Sequence, residues 1–175
     1  MTHGRKPRVV RFPAHINAMT TVKARVALTA AADLAEVTAP IDQAFTAMRQ
    51  AVGSEQDWVQ LCSAINVAQS IEKQGIVRGI YGHLHKAELA LQAIKQRAMD
   101  QAGHIGQWRA VELHIDEIEA IKEAILLHRY QLKNLSTGEA ARAINSAIAE
   151  VRSTGGVVMQ APARINPQPQ YALFA

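Results

Sequence analysis

The chain has 175 residues, 49% of them apolar but only 5% aromatic, and a formal net charge of +4. That length suits one domain with its own core, and an apolar content of Ala, Leu, Ile and Val suits helix-on-helix packing. The only cysteine, Cys62, excludes an internal disulfide framework. No apolar run approaches the roughly 20 residues of a membrane helix, and the basic N-terminus lacks the apolar stretch of a signal peptide, so the expected setting is the cytoplasm, with no membrane partner.

Charge is unevenly distributed. Residues 1–32 hold Arg5, Lys6, Arg8, Arg11, Lys23 and Arg25 and no acid, whereas the other 143 residues hold 13 cations and 15 acids. The basic character therefore belongs to the arm, and the remainder is close to neutral.

Residues 1–20 read as an extended arm, because Pro7 and Pro13 fix φ and push Lys6 and Phe12 away from helical geometry. Thr20 or Thr21 would cap a helix over 22–36. Pro40 suits the first position of a second helix, with Ile41, Ala44, Phe45, Met48 and Val52 on its apolar face and Gly53 as its stop. The two segments could also be one helix broken near Ala39. Ser54 and Asp57 resemble a capping box opening a helix from Glu55 to about Gln74. Its inner face is marked by Trp58, Leu61, Ile65, Ala68 and Ile71 or Glu72, and Gly75 suits its end.

Over 76–101, Ile80, Leu84, Ala87, Leu91, Ile94 and Ala98 recur at spacings of three and four, a heptad-type stripe. Gly75, Gly79 and Gly82 permit close contact there or mark a later helix start. Gly103 and Gly106 make a loop before a helix over 108–134, with Ile118, Ile121, Ile125, His128, Leu132 and Leu135 inward. Glu112, Asp116, Glu117 and Glu119 at its start read as a solvated, dipole-matched terminus. Ser136-Thr137-Gly138-Glu139 is a capping box for a last helix with Ala140, Ala143, Ile144, Ala147, Ile148 and Val151 inward. The whole reads as all-α: a helical bundle of about five or six helices over 21–152, between the basic arm at 1–20 and a proline-bearing tail at 153–175. The heptad stripes also allow a homodimer.

The chain holds no nucleophile elbow, Walker loop or dinucleotide fingerprint, which argues against an enzyme and against a cofactor. Among its seven histidines, His85 with Glu88 and His114 with Glu117 have the three-residue spacing that two ligands on one helix face need. The paired Glu-x-x-His pattern of a di-iron bundle is missing, so no metal is expected. His128 on the apolar stripe reads as a core histidine with one hydrogen-bond partner, and Cys62, beside Leu61 and Ile65, as a small core residue.

The tails carry the candidate binding residues. Arg5, Lys6, Arg8 and Arg11 lie within seven residues, and an extended backbone spreads them over about 20 Å, enough to follow several phosphates. At the other end, Gln170-Tyr171-Ala172-Leu173-Phe174 resembles the peptide by which bacterial replication and repair proteins dock on the DNA sliding clamp. Gln170, Leu173 and Phe174 stand at that peptide's defined positions. Tyr171 and Ala172 depart from the leucine and small polar residue commoner at the other two. Residues 5–150 also resemble small helical proteins of phages, prophages and plasmids. The likeness rests on Arg5-Lys6-Pro7-Arg8, on Ile71-Glu72-Lys73-Gln74-Gly75 through Gly82-His83-Leu84, and on Leu126-Leu127-His128, and implies no particular activity.

The expected function is thus a non-enzymatic accessory protein. Its basic arm would bind nucleic acid, and its C-terminal peptide would dock a partner, the sliding clamp first. The alternative is a helical protein-interaction or inhibitor module that does not bind nucleic acid.

Overall fold

The computed structural model describes residues 31–100 and 107–154. They form five helices and no strand: α1 (Ala31–Arg49), α2 (Glu55–Lys73), α3 (Tyr81–Asp100), α4 (Ile115–Lys133) and α5 (Thr137–Ser153). The fold is the all-α bundle that the three-four spacings predict.

α2 is the central element and packs against each of the other four helices, while α3 and α4 pack against one another and α1 also meets α4. Leu61, Ala64, Ile65, Ala68 and Ile71 of α2 are buried, as are Leu84, Ala87, Leu91, Ile94 and Ala98 of α3. The α3 stripe is therefore spent inside the bundle.

The predicted break between 22–36 and Pro40 does not occur. Pro40 lies inside α1. It has no N–H to return along the helix, an interior position that costs about 3 kcal/mol. Immediately after it, Ile41, Ala44 and Met48 are buried in the main core and hold the helix through the interruption.

Helix ends follow local chemistry, in places other than expected. Ser54 and Asp57 do form a capping box, with Ser54 N donating to Asp57 Oδ2 at 2.8 Å, and Ser136 and Glu139 form another. α1 ends in a double reversal, Val52 N to Ala47 O and Ala51 N to Met48 O, both 3.1 Å, with Ala51 rather than a glycine at positive φ. α3 begins at Tyr81, the later start that Gly75 and Gly79 offered as one of two readings. Gly75 and Gly79 adopt φ of 76° and 94°, and Glu72 Oε1 accepts from the backbone N–H groups of Gly79 and Ile80. α4 begins at Ile115, not 108; residues 107–114 are non-helical and return along α3, where Arg109 N donates to Ala98 O.

Gly53 is needed for proximity rather than for φ. A Cβ there would lie 2.4 Å from Met48 Sδ and 3.0 Å from Met48 Cα, and Met48 is buried. Gly53→Ala is expected to lower stability by about 1–3 kcal/mol through overpacking, read as a lower urea midpoint at unchanged helicity.

Candidate interaction surfaces

Two tryptophans act as ties: Trp58 joins α2 to α3, and Trp108 joins the 107–114 segment to the turn after α1. Trp58 Nε1 donates to Leu91 O at 2.8 Å and Trp108 Nε1 to Gly53 O at 2.9 Å, with ring centroids 6.0 Å apart. Lys95 Nζ stands 5.0 Å from the Trp58 ring centroid. Trp58 is therefore fixed at its indole N–H while its ring lines an apolar groove of about 330 Å³. Val59, Cys62 and Val67 of α2 form one wall of that groove, and Ile144, Ile148 and Val151 of α5 the other.

The groove follows from how α5 is packed. Of its expected inward residues only Ala143 and Ala147 are buried, Ile144 is 45% exposed, and Ile148 and Val151 are half-buried. Its apolar face is wider than the contact α2 offers. Cys62 is accordingly half-buried in the groove wall rather than sealed in the core. Burial pushes its thiol up to about 12, too high for a nucleophile at neutral pH.

Glu117 corrects the reading of a solvated helix start. It is 5% exposed and takes two hydrogen bonds of 2.6 Å from the Arg97 guanidinium, plus one of 2.8 Å from His114 N. Burial alone would raise its carboxyl, but the bonds from Arg97 and His114 outweigh it and hold the group below the ordinary carboxylate range. The pair joins residues 20 apart and locks α3 to the start of α4; it is fully engaged and reads as a fastening.

Several other charged side chains are paired within the fold. His85 Nδ1 lies 3.4 Å from Glu88 Oε2, which also accepts from Gln69, and His83 Nδ1 lies 3.0 Å from Glu123 Oε1. Lys73 bonds Glu150 at 2.6 Å, and Arg129 pairs with Asp42. Among the described residues, no three His, Cys, Asp or Glu side chains gather as a metal ion would require. No described helix is long and apolar enough to cross a membrane. Arg5, Lys6, Arg8 and Arg11, and Gln170, Leu173 and Phe174, lie outside the described residues.

The chain matches no family model, no curated protein and no solved structure.

His128 is 3% exposed, with Nδ1 3.4 Å from Gln131 Oε1. Gln131 Nε2 donates to Ala68 O at 3.0 Å, so its oxygen faces the ring and the histidine carries its proton on Nδ1. Burial lowers the imidazole from 6.5 to about 4. Between those values the unfolded chain takes up a proton that the folded chain refuses, so stability falls as pH drops through this window and levels off below it. The expected loss is about 3 kcal/mol. Urea midpoints measured across the window should show it, and His128→Leu should flatten that part of the profile whatever its baseline stability.

Proposed function

We propose that this chain is a non-enzymatic accessory protein of the mobile-element kind that acts at nucleic acid. The bundle carries Arg5, Lys6, Arg8 and Arg11 as a phosphate-following arm and Gln170, Leu173 and Phe174 as a docking peptide. The observation that carries the reading is charge segregation: six cations and no acid in the first 32 residues, against a remainder holding 13 cations and 15 acids. The bundle supports it indirectly, since Lys73, Arg97 and Arg129 are each committed to an acid within the fold. Four cations on a short extended stretch suit a backbone-tracking contact that does not read sequence.

Fluorescence-anisotropy titration of the full chain against duplex DNA tests the arm. With four phosphates neutralised, affinity should fall by about a hundredfold between about 50 and 200 mM salt. Changing Arg5, Lys6, Arg8 and Arg11 together to alanine should abolish most binding at unchanged helicity. Equal affinity before and after that change removes the proposal.

The docking peptide has its own readout. Leu173 and Phe174 each offer about 1.5–3 kcal/mol on burial, before ordering costs, which implies a micromolar or weaker contact. A titration of purified sliding clamp should show binding by the full chain that Leu173→Ala with Phe174→Ala eliminates. Binding unchanged by that pair of substitutions would show that the clamp contact lies elsewhere.

The apolar groove between α2 and α5 favours a second reading, the protein-interaction module without nucleic-acid binding. A defined protein complex that forms without any salt-sensitive DNA affinity would select it.

A further inference from the structure

The groove between α2 and α5 has a charged end. Trp58 lines it and carries Lys95 Nζ over its ring, 5.0 Å from the centroid. Lys95 is exposed, and among the described residues no acid pairs with it, whereas Lys73, Arg97 and Arg129 are each tied to one. The ammonium also stands close enough to Cys62 in the groove wall to act on its thiol: burial raises that group, and the Lys95 charge pulls it back. Glu88 lies on the same helix seven residues earlier, about 10 Å along the axis, and is held by Gln69 and His85. An uncommitted cation therefore marks the Trp58 end of the groove.

The dimensions narrow what can fill it. Along α2 the groove runs from Trp58 to Val67, about 14 Å of helix. An extended chain advances about 1.2 Å per bond, so about ten carbons span about 11 Å. Volume agrees: about 150 Å³ takes the six carbons of benzene, and at that ratio the 330 Å³ groove takes about a dozen. A protein partner would have to reach well beyond the groove, since a standard interface covers about 800 Å² on each side. A small ligand fits within it, and apolar walls with few polar groups are what such sites present.

We propose that this groove binds a small amphipathic anion, a straight-chain carboxylate of about eight to ten carbons, with its alkyl chain between α2 and α5 and its carboxylate at Lys95. Apolar burial supplies the affinity, and the single cation sets the orientation and favours an acid over a neutral chain of equal length. The site uses neither the basic arm nor the C-terminal peptide, so it stands whether or not those bind anything.

Calorimetric titration of the full chain with hexanoate, octanoate and decanoate, each below its micellar concentration, tests the proposal. Decanoate should bind at one site with a dissociation constant on the order of 10–100 μM and shift the tryptophan emission. Each CH₂ added from hexanoate to decanoate should tighten binding about threefold to fourfold. Lys95→Gln should weaken decanoate about fivefold and erase its advantage over decanol. Ser63→Phe, which places a ring in the groove, should abolish binding at unchanged helicity. The chain-length series needs no variant and decides the matter by itself: no saturable decanoate binding, or an affinity indifferent to chain length, overturns the site. Decanoate that binds the Ser63→Phe protein as tightly as the native one, or decanol as tightly as decanoate, overturns it as well.

Discussion

One helix must satisfy four neighbours at once, and the rest of the bundle is arranged around that demand. α2 meets it by mixing residue sizes. Leu61, Ile65 and Ile71 project into the cores, whereas Ala64 and Ala68 let neighbouring backbones approach. Gln131 of α4 reaches across to the Ala68 carbonyl of α2. A buried amide in that position has few geometries that leave no polar atom orphaned, so the bond fixes α4 on α2 in rotation as well as distance. The Arg97–Glu117 pair fastens α3 to the start of α4, the Trp58 N–H holds α2 to α3, and the Trp108 N–H ties the 107–114 segment to Gly53.

How much of this is readable in the chain depends on range. The apolar stripes of α2, α3 and α4 and the two serine caps are local patterns, and each appears where its spacing places it. Pro40 misleads because its local preference for a helix start is overridden by Ile41, Ala44 and Met48, whose burial is a tertiary fact. The late start of α4 misleads for a related reason, while that of α3 is one of the two readings its glycines offered. Glu72 closes the loop ahead of α3 from the preceding helix, and Trp108 ties the non-helical 107–114 segment to Gly53, 55 residues away. Glu117 looked like a surface acid because its partner lies 20 residues earlier. The acidic first turn was legible, but Arg97 as its counter-ion was not.

The apolar groove was hidden from the sequence by a different cause. Periodicity tells which residues of α5 share a face, not how much of that face a neighbour covers. Ile144, Ile148 and Val151 sit on the expected stripe, yet only Ala143 and Ala147 beside them are buried. The candidate binding residues of the two tails are read from the sequence alone: cations without acids at one end, a resemblance to a docking peptide at the other. Both readings concern chemistry that could engage a partner, and neither borrows anything from the bundle beyond a place to be attached.

The unequal anchoring of the helices grades the molecule's cooperativity. α2 cannot leave without opening both apolar clusters, so its amide hydrogens should exchange only when the whole chain unfolds. α5 rests chiefly on α2 and buries only Ala143 and Ala147, while a lysine–glutamate pair at its far end is solvent-exposed. Such a helix can detach as a unit at modest free-energy cost and leave the four-helix remainder standing. Its exchange would then be sub-global, and the groove between α2 and α5 would widen and close with it, making access to Trp58 and Cys62 a property of an equilibrium rather than of one fixed shape.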